Sequence, residues 1–271
     1  MMDKTNEIFG FIGTGNMGGA LARAVSRRLE GSQILLANHT MEKASRLAEE
    51  LEAKAVDNNT VAREADYIFL GVKPQVMEGM LKKIAPILAL RGKSFILVTM
   101  ATGLTIAKIQ EMAGGNYPVI RIMPNTPVSI GEGMVLYTCS SGVAQEEKEL
   151  FLDACAEAGR FSEIEEFRMD AGSAVAACGP AFADIFLEAM ADGGVACGLP
   201  RSQALELAAQ MMIGTVKLAL ESGQHPGVLK DAVCSPGGTT IQGVRKLEQA
   251  GFRGAVMDAV IAAYERTLEL K

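Results

Sequence analysis

The sequence predicts an α/β chain in two parts, a doubly wound sheet domain over residues 1–165 and an all-helical domain over residues 166–271. Three observations predict it. Short apolar runs alternate with stripes of helical period from residue 8 to residue 164. A glycine-rich segment, Gly13-Thr14-Gly15-Asn16-Met17-Gly18, joins the first run to the first stripe. Beyond Phe167, helical stretches follow one another with no convincing strand between them.

The elements follow in order. Ile8-Phe9-Gly10-Phe11-Ile12 is a continuous apolar run, the pattern of a strand buried on both faces. Leu21, Ala24, Val25 and Leu29 then recur at helical spacing, Ile34-Leu35-Leu36-Ala37 reads as a second strand, and Ala44, Leu47, Ala48 and Leu51 form a helical stripe that Thr40 is placed to cap. A short third strand is expected near residues 54–56 and a fourth over residues 67–72. Pro74 sits where a helix favours its first residue, ahead of a stripe of Met77, Met80, Leu81, Ile84 and Leu88. Strands over residues 94–100, 119–123, 134–138 and 161–164 complete the sheet, with helices over residues 106–112 and 144–158. The later helices are expected near residues 169–177, 181–197, 201–222, 227–233, 240–250 and 253–270. One of them carries Leu205, Leu207, Ala208, Met211, Met212, Ile213 and Val216, which leave little polar face. A helix apolar all round is covered all round. A domain of this size cannot cover several such helices alone, so a second subunit is expected to do so.

Composition excludes several classes. The chain has 271 residues, a formal charge of -6, and 49% hydrophobic residues with no Trp. The negative balance argues against general nucleic-acid binding. Cys139, Cys155, Cys178, Cys197 and Cys234 are scattered and odd in number, which fits free thiols in a reducing compartment and gives neither a disulfide framework nor a metal-site spacing. The mixed-charge start Met1-Met2-Asp3-Lys4-Thr5-Asn6-Glu7 does not look like a signal peptide. The apolar stretch at 171–198 is interrupted by Gly179-Pro180, Asp184, Glu188 and Asp192, so no membrane span is expected there. The protein reads as cytoplasmic.

The glycine segment has the G-x-G-x-x-G spacing of a dinucleotide-binding turn. Gly13 allows the tight turn, Gly15 lets a pyrophosphate approach, and Gly18 lets helix and strand pack closely. Thr14, Asn16 and Met17 complete the turn, and the helix behind it offers unpaired N–H groups to the phosphates. The end of the second strand, where an NAD site usually carries an acid, reads Asn38-His39-Thr40. These groups can hydrogen-bond a 2′-phosphate that a carboxylate would repel, so NADP is preferred, with NAD possible. Ligands of an open α/β sheet lie beyond the carboxyl ends of its strands. That rule adds Val72, Lys73 and Pro74 after the fourth strand, Ala101, Thr102 and Gly103 after the fifth, and Asn125 in the stiff loop Met123-Pro124-Asn125-Thr126-Pro127. Lys73 reads equally well as a surface charge, and His39 as a loop histidine without a ligand.

A second constellation lies in the helical half. Ser235-Pro236-Gly237-Gly238-Thr239-Thr240 joins two expected helices. Its backbone N–H groups suit a carboxylate. The same residues suit a plain helix–helix turn capped by Thr239 or Thr240, and spacing leaves both readings open.

Ser-Pro-Gly-Gly-Thr-Thr, followed by Gly243, Val244, Leu247 and Glu248, resembles the signature of the pyrroline-5-carboxylate reductases. So do, in order, the glycine turn, Val72-Lys73-Pro74-Gln75, Met123-Pro124-Asn125-Thr126-Pro127, Gly179-Pro180-Ala181-Phe182, Ala191-Asp192-Gly193-Gly194-Val195, Gly198-Leu199-Pro200-Arg201 and Glu221-Ser222-Gly223-Gln224-His225-Pro226-Gly227. The resemblance implies an N-terminal Rossmann domain, a C-terminal helical dimerisation domain, and reduction of the imine 1-pyrroline-5-carboxylate to L-proline with NAD(P)H. It implies a homodimer through the C-terminal helices that can assemble further. It places Thr240 beside the ring nitrogen, Ser235, Gly238, Thr239 and Thr240 around the substrate carboxylate, Glu166 near the substrate, and Asn58 near the adenosine phosphate. Two positions depart from relatives. Cys178 ends a stretch usually richer in Gly and Ser, and Ala232 stands where a relative has a cofactor-contacting Asn. A β-hydroxyacid dehydrogenase is the first rival, but its lysine is missing, since no Lys lies between Arg168 and Lys217. A dinucleotide-sensing protein on the same fold is the second.

Overall fold

The computed structural model describes residues 6–269. The first five residues of the N-terminal segment lie outside that range. Eight strands form one sheet: β1 (Phe9–Ile12), β2 (Ile34–Ala37), β3 (Lys54–Ala55), β4 (Tyr67–Leu70), β5 (Ile96–Thr99), β6 (Val119–Met123), β7 (Gly133–Cys139) and β8 (Gly159–Glu163). The helices are α1 (Asn16–Ser26), α2 (Met41–Glu50), α3 (Asn58–Glu64), α4 (Pro74–Ala89), α5 (Ile106–Ala113), α6 (Gln145–Ala154), α7 (Met169–Ala176), α8 (Gly179–Ala196), α9 (Arg201–Ser222), α10 (Pro226–Val233), α11 (Thr239–Gln249) and α12 (Phe252–Glu269).

The strand order is β3-β2-β1-β4-β5-β6-β7-β8. Every pair is parallel except β6 with β7. The antiparallel step has a simple cause: residues 124–132 are too few for a helical crossover and hold only a 3-10 turn at Thr126–Ile130. β1, β2, β4, β5 and β6 are buried throughout, because helices cover both faces of the sheet. On one face Phe9, Phe11, Tyr67 and Phe69 pack with Leu21 and Val25 of α1, Leu47 of α2 and Phe151 of α6. On the other, Ile12, Ile68, Leu70 and Leu97 pack with Val61 of α3, Met77, Leu81 and Ile84 of α4, and Ile109 of α5. Winding reverses between β1 and β4, which makes their carboxyl ends the switch point of the sheet.

By packing, the chain divides after Ala177. The first unit holds the sheet and takes back the chain from Tyr264; the second is Cys178–Ala263. The sequence places its boundary earlier, at 165/166. α7 accounts for the difference, since Met169 is fully buried against Met123 and Leu136. α3 is absent from the sequence reading. It is only seven residues long and buries only Val61 and Ala62, too little for a period to show. Thr40 does occupy the N-cap of α2, but its hydroxyl closes no capping bond.

The second unit is helical and sparsely buried. α8 buries Ala191, α9 buries Ala204 and Ala208, and α10 and α11 bury no residue. Leu207, Ile213, Val216, Leu218 and Leu220 of α9 are all at least half exposed on the single chain. The run Glu166–Ala196 is long and apolar enough, by length and composition, to cross a membrane. The interruptions expected to exclude this do not lower its composition far enough, although the run is broken into α7 and α8 at 177–178.

Candidate functional site

The turn between β1 and α1 lies at the switch point, and its three glycines do three different things. Gly13 has φ +100, and a Cβ there would meet the Gly71 carbonyl at 2.7 Å. A Cβ on Gly18 would lie 2.1 Å from the Gly13 oxygen, so α1 can approach the strand only with glycine. Gly15 differs: nothing lies within 4 Å of a Cβ placed there. It is the N-cap of α1, and no side chain caps the helix. The first amides of α1 therefore face open space with the positive end of the helix dipole behind them. Thr14 Oγ1 is buried beside them without a hydrogen-bond partner among the described residues. An orphaned hydroxyl, free amides and an open approach over Gly15 fit a phosphate group.

A cleft of about 730 Å³ opens from this turn. Of the residues singled out from the sequence, Gly13, Asn38, His39, Asn58 and Val72 line it. Asn38 Nδ2 donates to the Thr40 carbonyl at 3.3 Å, which folds the loop after β2 back on itself. Asp57 also lines the cleft and caps α3, accepting the Thr60 N–H at 2.7 Å. That backbone bond, aided by the Thr60 hydroxyl, holds its carboxyl below the usual range. Lys83 of α4 reaches the cleft and makes no ion pair among the described residues, while its neighbour Lys82 pairs with Glu78 at 2.7 Å. Helical spacing alone could not separate these two lysines. Lys73 and Pro74 open α4 beside the cleft, with Lys73 exposed at its N-cap.

The loops after β5 and β6 lie further along the same edge. Ala101 and Gly103 are buried, with Thr102 partly exposed between them. The Asn125 side chain acts as a clamp: Nδ2 donates to the Ala176 carbonyl at 3.0 Å, and Oδ1 accepts the Met134 N–H at 2.9 Å. Glu166 lies at this edge too. Its Oε1 accepts the Ile106 N–H, at the start of α5, at 2.7 Å and a bond from Arg121 Nη1 at 3.3 Å. Arg121 also donates to Asp170 Oδ1 at 3.2 Å. Neither Arg121 nor Asp170 was singled out from the sequence. The available signal was a charge inside the strand-like run Val119-Ile120-Arg121-Ile122-Met123, since arginine is almost never fully buried unless paired.

The helical unit carries the second constellation. The N-cap of α11 is Gly238, not Thr239 or Thr240, and no side chain caps the helix. Gly237 has φ +71, and the Gly238 N–H donates to the Ser235 carbonyl at 3.0 Å. A Cβ on Gly238 would meet Ser235 Oγ at 2.3 Å. The turn is therefore closed by its own backbone, and the leading amides of α11 beside Thr239 and Thr240 remain free. The capped-turn reading does not hold. Both threonines are exposed. Among the described residues no group of His, Cys, Asp or Glu could hold a metal ion.

Fold and turn together define an oxidoreductase-type chain with an N-terminal Rossmann domain and a helical C-terminal part. Residues 8–101 match the family described as "NADP oxidoreductase coenzyme F420-dependent", and residues 166–270 match "pyrroline-5-carboxylate reductase dimerisation". The chain is 40% identical to a pyrroline-5-carboxylate reductase of Glycine max, over 96% of this chain and 95% of that one. It is 38% identical to that of Escherichia coli K12, over 96% and 97%. A crystal structure of the Plasmodium falciparum pyrroline carboxylate reductase with NADP bound superposes with a TM-score of 0.88 at 32% identity, over 98% of this chain and 99% of that one. The chain belongs to the pyrroline-5-carboxylate reductase family.

Proposed function

We propose that this protein reduces 1-pyrroline-5-carboxylate to L-proline, the last step of proline synthesis, with NADPH as the preferred donor and NADH as an alternative. The observation that carries the reading, in a chain of this family, is the Gly238-capped start of α11, whose free amides suit a carboxylate. Bound NADPH supplies the hydride. Gly13, Thr14, Gly15, Asn16 and Met17 hold its pyrophosphate; Asn38, His39, Thr40 and Asn58 hold the phosphorylated adenosine end; Val72, Lys73, Pro74, Ala101, Thr102, Gly103 and Asn125 line the path towards the nicotinamide. Asn125 does so through the loop it clamps.

The chain's own chemistry is positioning. Ser235 and the amides around Gly238, Thr239 and Thr240 hold the substrate carboxylate and so fix which ring face is presented. The Thr240 hydroxyl partners the ring nitrogen. An unionised hydroxyl is a poor acid, and a protonated imine needs none, so Thr240 orients the ring and does not drive proton transfer. Glu166 lies on the substrate side. Residues 1–165 serve as the Rossmann part and residues 166–271 as the helical dimerisation and substrate part.

The exposed apolar faces of α8 and α9 are covered by a second copy of the chain, which forms a homodimer able to assemble further. That cover also accounts for the apolar run at 166–196 without a membrane. Cytoplasmic placement and the absence of nucleic acid as a partner follow from the acidic composition and scattered thiols. NADPH oxidation followed by absorbance, with and without pyrroline-5-carboxylate, tests the reading; no substrate-dependent oxidation defeats it. Thr240→Ala should lower kcat ~100-fold through loss of ring orientation while NADPH binding, measured by fluorescence, persists. Unchanged kinetics in that variant would remove the role given to Thr240.

A further inference from the structure

Arg121 is the largest fully buried side chain among the described residues. It stands on β6 between Thr99 of β5 and Thr138 of β7. Taking a guanidinium out of water costs several kcal/mol, and an apolar residue like its neighbours Ile120 and Ile122 would often serve stability as well. Its fork is also divided. Nη1 meets Glu166 Oε1 at 3.3 Å, Nη2 meets Asp170 Oδ1 at 3.2 Å, and Nε is buried with no partner among the described residues. Glu166 thus receives one guanidinium bond where a bidentate pair would give two.

Both hydrogen bonds of Glu166 fall on Oε1, from Arg121 and from the Ile106 N–H. Its other oxygen belongs to a side chain that is 33% exposed. Ile106 follows directly on the loop after β5, at the carboxyl edge of the sheet where ligands of this fold bind. The surrounding charges are engaged elsewhere. Glu165 and Arg168, on the same turn as Glu166, pair with each other at 3.2 Å, and Lys108 of α5 pairs with Glu111 at 2.8 Å. Glu163, ending β8, takes Lys148 and the Tyr137 hydroxyl. Among the described residues, Arg121 is the cation that meets Glu166.

We infer that Arg121 is a positioning residue that fixes the Glu166 carboxylate with one oxygen turned outward, and that Glu166 so held selects a substrate ring carrying positive charge on nitrogen over its neutral form. The inference rests on the reading of Glu166 as a substrate-side residue. A half-compensated carboxylate in a partly desolvated edge attracts a nearby cation more strongly than a fully paired one. The reactive imine is more electrophilic when protonated; hydride addition leaves a neutral amine, which takes one proton from water to give the cationic ring nitrogen of L-proline. One carboxylate therefore favours the charged ring before and after reduction.

The test compares two competitive ligands on the NADP-loaded enzyme: L-proline, whose ring nitrogen is cationic, and cyclopentanecarboxylate, whose ring is neutral. Glu166→Gln keeps an oxygen to accept the Ile106 and Arg121 bonds but removes the charge. It should weaken L-proline by ~10-fold relative to cyclopentanecarboxylate and move the alkaline limb of the kcat–pH profile by about one unit to lower pH. An unchanged ligand ratio with an unmoved limb overturns the inference. Arg121→Lys keeps a charge and loses the fork, so kcat should fall severalfold with the KM for NADPH unchanged. A wild-type kcat in that variant removes the part given to Arg121. Should Arg121→Lys fail to fold, the Glu166→Gln ratio still decides. Wild-type protein lacking imine-dependent NADPH oxidation would defeat the functional reading first, and so separates the two failures.

Discussion

The helix starts at Gly15 and Gly238 are alike in chemistry and opposite in surroundings. Each begins on a glycine N-cap with no capping side chain, so each leaves its first amides free. The turn at Gly15 is locked into the sheet by contacts that only glycine permits at Gly13 and Gly18. The turn at Gly238 touches little beyond its own Ser235, and its threonines are exposed on the single chain. The wider units repeat the contrast. Five strands of the sheet unit are buried along their whole length, while α10 and α11 bury nothing. An anion site can be finished inside one folding unit, or left as a rim that depends on surface supplied from elsewhere.

The strongest way to break this comparison is to charge the unfinished side. Ile213→Asp places a carboxylate on the exposed apolar face of α9, and burying it unpaired against a second copy would cost about 3 kcal/mol or more. Light scattering should then find a smaller species, and thermal unfolding should occur at lower temperature. A variant of unchanged mass and stability would mean that the face is not covered.

Two alanines sharpen the finished side. Gly18→Ala must displace the Gly13 carbonyl and should destabilise the fold by roughly 1–3 kcal/mol in urea unfolding. Gly15→Ala meets no protein atom, and alanine at an N-cap costs ~1 kcal/mol relative to glycine. Gly15→Ala should therefore cost only that capping loss and weaken NADPH by ~10-fold or more, because its methyl fills the phosphate approach. Unchanged NADPH affinity in Gly15→Ala would show that the turn serves packing alone. The smallest expected effect is at the cleft's far end. Asn38→Asp should weaken NADPH severalfold and NADH less, through repulsion of the 2′-phosphate. Equal titrations for the two cofactors would remove the 2′-phosphate reading.

Much of the fold was legible because its strands carry continuous apolar runs and its helices clear stripes. The glycine turn was legible because its spacing sits in the right strand-to-helix context. The exceptions have physical causes. α3 is about two turns long and buries only Val61 and Ala62, below what periodicity can reveal. The antiparallel turn of β7 follows from a short connection, whereas apolar runs carry no direction. Nothing in the sequence separates Lys83 from its neighbour Lys82, and Arg121 sat inside a run read only for its apolar neighbours. The choice between a capped turn and free amides at Ser235–Thr240 was also out of reach, because which residue becomes the N-cap depends on the backbone path through Gly237 and Gly238.

By itself the sequence determined the two-part α/β plan, the dinucleotide turn and the family, because these rest on residue order: runs, stripes and spaced glycines. The tertiary structure decided how those parts act. It gave the three glycines different jobs, since clash and open space exist only once Gly13, Gly18 and Gly71 are brought together. It also joined Arg121 of β6, Glu166 of the 3-10 turn Glu166–Arg168 after β8 and Asp170 of α7 into one ion cluster at the sheet edge. Residues 45 and 49 positions apart along the chain meet only when the sheet has formed and α7 has packed on β7.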